Sequence, residues 1–208
     1  REPDTLNAWI QEWVLDCKTQ EEYLARLGYQ QLFSLRGRAT KDSWEREMDS
    51  LASGISASQE YSPVEMMVVS AARRMKEQIK VNGYRVLLTG VGTATLAGWL
   101  AYYWLREEGY LLDLLVGTGS YGYTPRPGSP IIFDVTNEST SKMLTDSFDV
   151  YSFLVGGNNN RCMAVLGAGQ IDKLGNINST KLTQDLYLTG AGGGTDASNT
   201  ANEVMVVA

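Results

Sequence analysis

The sequence predicts an α/β fold with a mostly parallel sheet, helices on both of its faces, and a helical arm ahead of it. Three observations carry that reading. Short apolar runs at residues 86–88, 111–116 (broken only by Asp113) and 163–166 have the length and composition of strands buried on both faces. Capped helical segments lie between these runs, the alternation expected of parallel strands joined by crossover helices. Residues 1–54 contain no such run and are patterned at helical spacing.

Within the arm, Asp4 is placed to cap a first helix on which Leu6, Ile10, Trp13, Val14 and Cys17 share a face. Thr19 and Glu22 form the capping box of a second helix, and Gly28 follows Leu27 as its stop. A third starts at Ser43, aligns Trp44, Met48 and Leu51, and ends before Gly54. Its aromatic stripe reads as a core-facing surface. Small polar residues over 53–59 mark a linker, placed at 55–60.

The α/β domain is read over residues 61–208. Ser62 and Glu65 make the capping box of a helix that begins at Pro63 and carries Met66, Val69 and Met75 on its apolar stripe. A strand follows at 86–88, and Gly90, Val91 and Gly92 lead into a helix over 94–108. The next strand spans 111–116, and the Gly-, Tyr- and Pro-rich residues 117–130 read as a loop. Further strands are expected at 131–135, 163–166 and 204–207. The last of these has no turn after it, and residue 1 is Arg rather than Met. The 208 residues are therefore expected to be a piece of a longer protein, truncated at its C-terminus.

Composition narrows the chemistry. A hydrophobic fraction of 43% supports a true core, and 20% charged residues argue against disorder. The net charge of −6 disfavours a general nucleic-acid surface. With no histidine, the chain itself offers no Ser-His-Asp triad, His-ligated zinc or His base, and no metal site is expected. Cys17 and Cys162 lie far apart and read as reduced, buried thiols of a cytoplasmic protein. No membrane span is expected, because the apolar run at 96–105 is short, interrupted by Gly98 and followed by Arg106, Glu107 and Glu108.

Two loops stand out, LGAGQIDKLGNINST at 166–180 and LTGAGGGTDASN at 188–199. Glycine lets backbone approach a ligand closely, and Asn and Gln add uncharged donors and acceptors. Neither loop carries a P-loop signature, and Gly90 and Gly92 lack the third glycine of a dinucleotide fingerprint, since Thr95 stands there. Ligands of open α/β sheets bind at the carboxyl ends of strands, so the loops at 90–93, 117–123, 167–172 and 190–199 are the candidates. Ser120, Tyr121 and Tyr123 are candidate polar groups there, with Ser120 a hydrogen-bond donor rather than a nucleophile. Arg126, between two prolines, is either a carboxylate clamp or a solvated surface residue. Asp172 and Asp196 are the carboxylates of the Gly-rich loops, Asp172 reading chiefly as a brace of its own loop.

The strings Gly167-Ala168-Gly169-Gln170-Ile171-Asp172, Gly175-Asn176-Ile177-Asn178-Ser179-Thr180 and Gly190-Ala191-Gly192-Gly193-Gly194 resemble the β subunit of family I CoA-transferases of the glutaconate type. The resemblance covers about residues 61–208, while AWIQEWVLDCKTQEEYLARLG in the arm looks like the tail of that family's α subunit. It implies a coenzyme A thioester as substrate with no permanently bound cofactor. As partner it implies an α-type subunit, or an α half of the same gene, within an oligomer. It also implies that Gly90, Gly92, Gly117, Gly119, Gly169, Gln170, Asn176, Asn178, Gly192, Gly193 and Gly194 line the acyl-CoA site.

One position departs from the family. Its catalytic glutamate, which forms the enzyme–CoA thioester, falls at Gly117 in Val116-Gly117-Thr118-Gly119, and glycine cannot do covalent catalysis. Three functions stay open: a decarboxylase or hydrolase of an acyl-CoA ester, a true CoA-transferase, or a non-catalytic acyl-CoA-binding or structural subunit. For the transferase, Glu138 in Asn137-Glu138-Ser139 is the nearest alternative nucleophile.

Overall fold

A computed structural model describes residues 7–8, 10–27, 53–54, 60–125, 135–138, 140–157, 161–190 and 192–208. The chain divides into two compact units, residues 1–53 and 54–208.

In the first unit, the expected first helix closes as a π-helical turn, Gln11–Leu15, with Asp16 N–H donating to Gln11 O. Asp4, Leu6 and the side chains of Trp13 and Val14 lie outside the described residues. Helix α1, Gln20–Leu27, starts on the expected capping box: Glu22 N–H donates to Thr19 Oγ1 (3.1 Å), and Thr19 N–H donates to Glu22 Oε2 (3.3 Å). Gly28 and the predicted third helix, with Ser43, Trp44, Met48 and Leu51, fall outside the described residues. Ser53 and Gly54, read as linker and helix stop, are helical.

The second unit opens on α2, Pro63–Asn82. Ser62 Oγ accepts from Glu65 N–H (3.2 Å) while the Glu65 carboxylate accepts from Ser62 N–H (2.6 Å). These bonds to Ser62 hold the Glu65 carboxyl below its ordinary pKa. Gly83 ends the helix at φ 68°, a left-handed position that costs glycine nothing. Then follow β1 (Val86–Thr89), α3 (Thr93–Glu107), β2 (Asp113–Val116), β3 (Ser120–Tyr123), β4 (Met143–Leu144) and β5 (Cys162–Leu166). A small hairpin of β6 (Gln170–Ile171) and β7 (Ile177–Asn178) precedes α4 (Gly194–Thr200) and β8 (Glu203–Val206).

Six strands form one sheet in the order β4-β3-β2-β1-β5-β8. The pairs β1–β2, β1–β5 and β5–β8 are parallel, and β2–β3 and β3–β4 are antiparallel. The predicted mostly parallel sheet is present, and its two faces alternate residue by residue. Leu87, Leu114, Met163 and Val165 pack under α2 and α3. Leu88, Leu115, Cys162 and Ala164 pack under Val150, Val155 and Ala197. Each fully buried Leu or Met of this kind contributes about 1.5–3 kcal/mol. Helix α3 reaches β1 closely through Gly98, where a Cβ would stand 2.9 Å from Thr89 Cγ2.

Two expected elements differ. Residues 117–130 are not one loop: Ser120–Tyr123 is β3, folded back on β2 by a turn in which Gly119 N–H bonds Val116 O (3.0 Å). Tyr-rich sequence suits a strand, and the glycines that suggested a loop supply its bends, Gly119 at φ 114° and Gly122 at φ 68°. Of the predicted strand at 131–135, residues 131–134 lie outside the described residues and Val135 opens a helical turn, Val135–Glu138. Cys162 is buried in β5, whereas Cys17, expected to be buried, is partly exposed; both are free thiols. Among the described residues, no helix is long and apolar enough to cross a membrane.

Candidate active site

Because β1, β2, β5 and β8 run parallel, their carboxyl ends share one edge of the sheet. The turn after β2 starts at Gly117, and α4, which leads back into β8, begins just after Gly193. Across the edge, the segment after β4 forms a helical turn, Ser147–Asp149, capped by Asp146, whose carboxylate accepts from Asp149 N–H (3.0 Å). It passes directly into the π-helical turn Val150–Val155. Val150 and Val155 are five residues apart, one π-helical turn, so both drive into the sheet and present Tyr151 at its edge.

These pieces enclose a cavity of about 630 Å³ lined by Gly117, Thr118, Ser147, Phe148, Tyr151, Ser152, Gly192, Gly193 and Asp196. That volume lies in the range of small-molecule sites, roughly 300–1,000 Å³. Among the described residues, hydroxyl groups dominate its polar lining, Asp196 is its one carboxylate, and no Lys or Arg lines it. The Tyr151 hydroxyl is its central feature. A Cβ built on either Gly117 or Gly193 would overlap that oxygen, and would stand 3.2 Å from Tyr151 Cζ and 2.7 Å from Tyr151 Cε2, respectively. Burial first, then the Asp196 carboxylate, push the phenol pKa up from its ordinary value. Tyr151 is therefore a proton-bearing donor at neutral pH.

The sequence missed Tyr151. The signal was there, an apolar pair at 150 and 155 flanking an aromatic, but its spacing of five fits neither a 3.6-residue nor a two-residue period. The polar groups proposed in its place lie elsewhere. Tyr123 is in the core, 1% exposed, with its hydroxyl bonded to Thr89 Oγ1 (3.0 Å) and accepting from Trp99 Nε1 (2.9 Å). Tyr121 donates to Asp113 Oδ2 (2.9 Å); burial first, then Asp113, push it up to about 12. Ser120 is buried in β3, and neither it nor Tyr121 lines the cavity. Gly119 is buried against Thr145 O, where a Cβ would collide, so its glycine serves the hairpin. Glu138 is exposed on its helical turn, away from the lining, and Arg126 lies outside the described residues.

Of the remaining candidates, Gly117, Gly192 and Gly193 are brought together in this cavity. Asn176, Asn178 and Gly194 line a second cavity of about 550 Å³ between the β6–β7 hairpin and α4. Gly90, Gly92, Gly169 and Gln170 line neither. Gly90 packs on β5, where a Cβ would stand 2.8 Å from Val165 O, and Gly169 packs under Leu182 and Leu188.

The amides brace their hairpin. Asp172 Oδ1 accepts from Leu174 N–H (2.8 Å) and Asn176 N–H (2.9 Å), and Oδ2 accepts from Asn176 Nδ2 (2.8 Å). These bonds, led by the Asn176 side chain, hold the Asp172 carboxyl below its ordinary pKa. Asn178 Nδ2 donates to Gln170 Oε1 (2.8 Å) and Lys181 O (2.7 Å).

No family model matches the chain. It is 31% identical over 152 residues to a 3-oxoadipate CoA-transferase subunit of Pseudomonas knackmussii, covering 71% of this chain and 54% of that protein. Among solved structures, glutaconate coenzyme A-transferase from Acidaminococcus fermentans aligns with a TM-score of 0.58 at 24% identity, over 72% of this chain and 57% of the other. A variant of the decarboxylase AibA/AibB aligns with a TM-score of 0.50 at 17% identity, over 71% and 59% of the two chains. This chain thus spans little more than half the length of the proteins it matches. Its α/β fold is that of these structures, and the loop strings at 167–180 and 190–194 lie in a chain similar, over 71% of its length, to a subunit of a CoA-transferase.

Proposed function

We propose that this chain is the β-like part of an enzyme acting on an acyl-CoA ester without a glutamate nucleophile, as a decarboxylase or hydrolase. One observation carries the reading. At the carboxyl end of β2, where the family resemblance puts the catalytic glutamate, Gly117 leaves no carboxylate, and the Tyr151 hydroxyl fills the adjoining space. Hydrogen-bond donors around a thioester suit chemistry in which charge develops on its carbonyl oxygen. In decarboxylation, CO2 leaves, its bonding electrons pass into the thioester-conjugated system, and a proton from water quenches the resulting enolate. In hydrolysis, water adds to the carbonyl and the CoA thiolate departs. The chain has no His and no Lys is among the described lining residues, so the proton traffic falls to water, hydroxyl groups and Asp196.

The 31% identity to one chain of a CoA-transferase favours true transfer of CoA between carboxylic acids as the second reading. Asp196, the one carboxylate among the described lining residues, is then the candidate nucleophile. A non-catalytic acyl-CoA-binding protein would bind the ester without turning it over. An α-type partner, contributed by a second chain or by the same gene, and a cytoplasmic location complete the proposal.

The deciding experiment is mass spectrometry of the protein after incubation with acyl-CoA donors, with borohydride or hydroxylamine trapping. Turnover with no CoA adduct supports the glutamate-less enzyme. A thioester on Asp196 or any other carboxylate of the chain puts the transferase first.

A further inference from the structure

We propose that the Tyr151 hydroxyl is the group that donates a hydrogen bond to the carbonyl oxygen of the acyl thioester, an inference that rests on reading the 630 Å³ cavity as an acyl-CoA site. Hydroxyls of four other tyrosines are committed to the protein: Tyr84 to Glu203 (3.0 Å), Tyr110 to Tyr84 O (2.7 Å), Tyr121 to Asp113 (2.9 Å) and Tyr123 to Thr89 (3.0 Å). Tyr151 has no hydrogen-bond partner among the described residues, although it is half-buried. A partly desolvated donor left unpaired costs stability, and a bound acceptor removes that cost.

The surroundings favour an acceptor at this spot. Two chain segments far apart in sequence each place a glycine against the same oxygen, Gly117 from the end of β2 and Gly193 from the start of α4. Side chains at those positions would take the hydroxyl's place; glycine at both lets it stand in the lining of the cavity with Thr118 and Asp196. The raised phenol pKa keeps the proton on Tyr151 at neutral pH. No Lys or Arg is among the described residues of the lining, which suits an uncharged carbonyl better than the phosphates of the coenzyme. The bond strengthens as the carbonyl oxygen gains charge, in an enolate or a tetrahedral adduct alike, so it serves either chemistry proposed above.

Two unreactive probes test this. One is acetyl-CoA with a methylene in place of the thioester sulfur, which keeps the carbonyl; the other is S-ethyl-CoA, which lacks it. Calorimetric titration of the full-length protein should show the carbonyl probe binding roughly 3–10-fold tighter, as one net hydrogen bond gives. In Tyr151→Phe, which keeps the ring on both glycines, the two probes should bind equally, with S-ethyl-CoA affinity unchanged. A preference that survives in Tyr151→Phe, or equal binding of both probes by the unaltered protein, overturns the inference and leaves the acyl-CoA site standing. If neither probe binds the unaltered protein, the acyl-CoA reading falls and takes the inference with it.

Discussion

The Tyr151 hydroxyl occupies the space that a side chain on Gly117 would need. Gly117 is not among the glycines with positive φ, so its backbone accepts any residue; the obstacle is Tyr151. Gly117→Glu should therefore displace Tyr151 and destabilise the fold by about 1–3 kcal/mol, the usual cost of overpacking. Adding Tyr151→Ala should relieve the conflict, so that the double variant is more stable than the sum of the singles by about 0.5–3 kcal/mol. Denaturant melts of the four proteins measure this coupling, and strict additivity would show that the two positions do not compete. The double variant is also the one to probe for recovered thioester formation.

Gly193 meets the same ring from the other side. Its φ of −83° is open to a branched residue, so Gly193→Val does not strain the backbone. A Cβ there would crowd Tyr151 Cε2 at 2.7 Å and turn the ring into the cavity. Acyl-CoA affinity should fall about tenfold or more, about 1.4 kcal/mol or above, and the displaced ring should also cost stability, about 1–3 kcal/mol as at Gly117. Unchanged binding by a folded variant would remove this glycine from the site.

Tyr123, by contrast, is expected to matter for folding and not for chemistry. Removing its hydroxyl leaves Trp99 Nε1–H and Thr89 Oγ1 without the partner they share in the core. Tyr123→Phe should cost about 1–3 kcal/mol, the range for an orphaned buried polar group. Specific activity per folded molecule should stay within about twofold of the unaltered protein. A large loss of turnover with unchanged stability would restore Tyr123 to the site.

How far the sequence could be read follows from where each signal is local. Strands β1, β2 and β5 are mainly apolar runs, and α2 announces its start at Ser62, Pro63 and Glu65, so the parallel core was legible. Strand β3 was not, because Gly119 and Gly122 signal a loop when seen alone and a bent strand only when β2 lies beside them. The cavity was half legible. Gly117 and Gly193 stood out as glycines, but what they make room for arrives from residue 151, on a π-helical turn with no pattern of its own. Asp172 was read correctly as a brace, since an Asx turn is written within five residues.

That brace gives a pH signature. Its folded pKa lies below the ordinary 3.8 because Asn176 and neighbouring amides bond the charged form. A depressed carboxyl pKa stabilises the fold above the unfolded value, and that contribution is lost as pH falls through the folded value. The hairpin around β6 and β7 should therefore hold at neutral pH and loosen below pH 3.8, as its carboxylate takes up a proton. Amide exchange at Leu174 and Asn176, whose N–H groups both donate to Asp172, reports the change locally. Exchange at both should accelerate together at low pH, beyond the intrinsic dependence seen in an unstructured peptide. In Asp172→Ala the same two amides should already be fast at neutral pH, with no further acid step. Protection that persists in this variant would mean that the backbone bond from Asp172 N–H to Asn176 O (3.0 Å) holds the turn by itself.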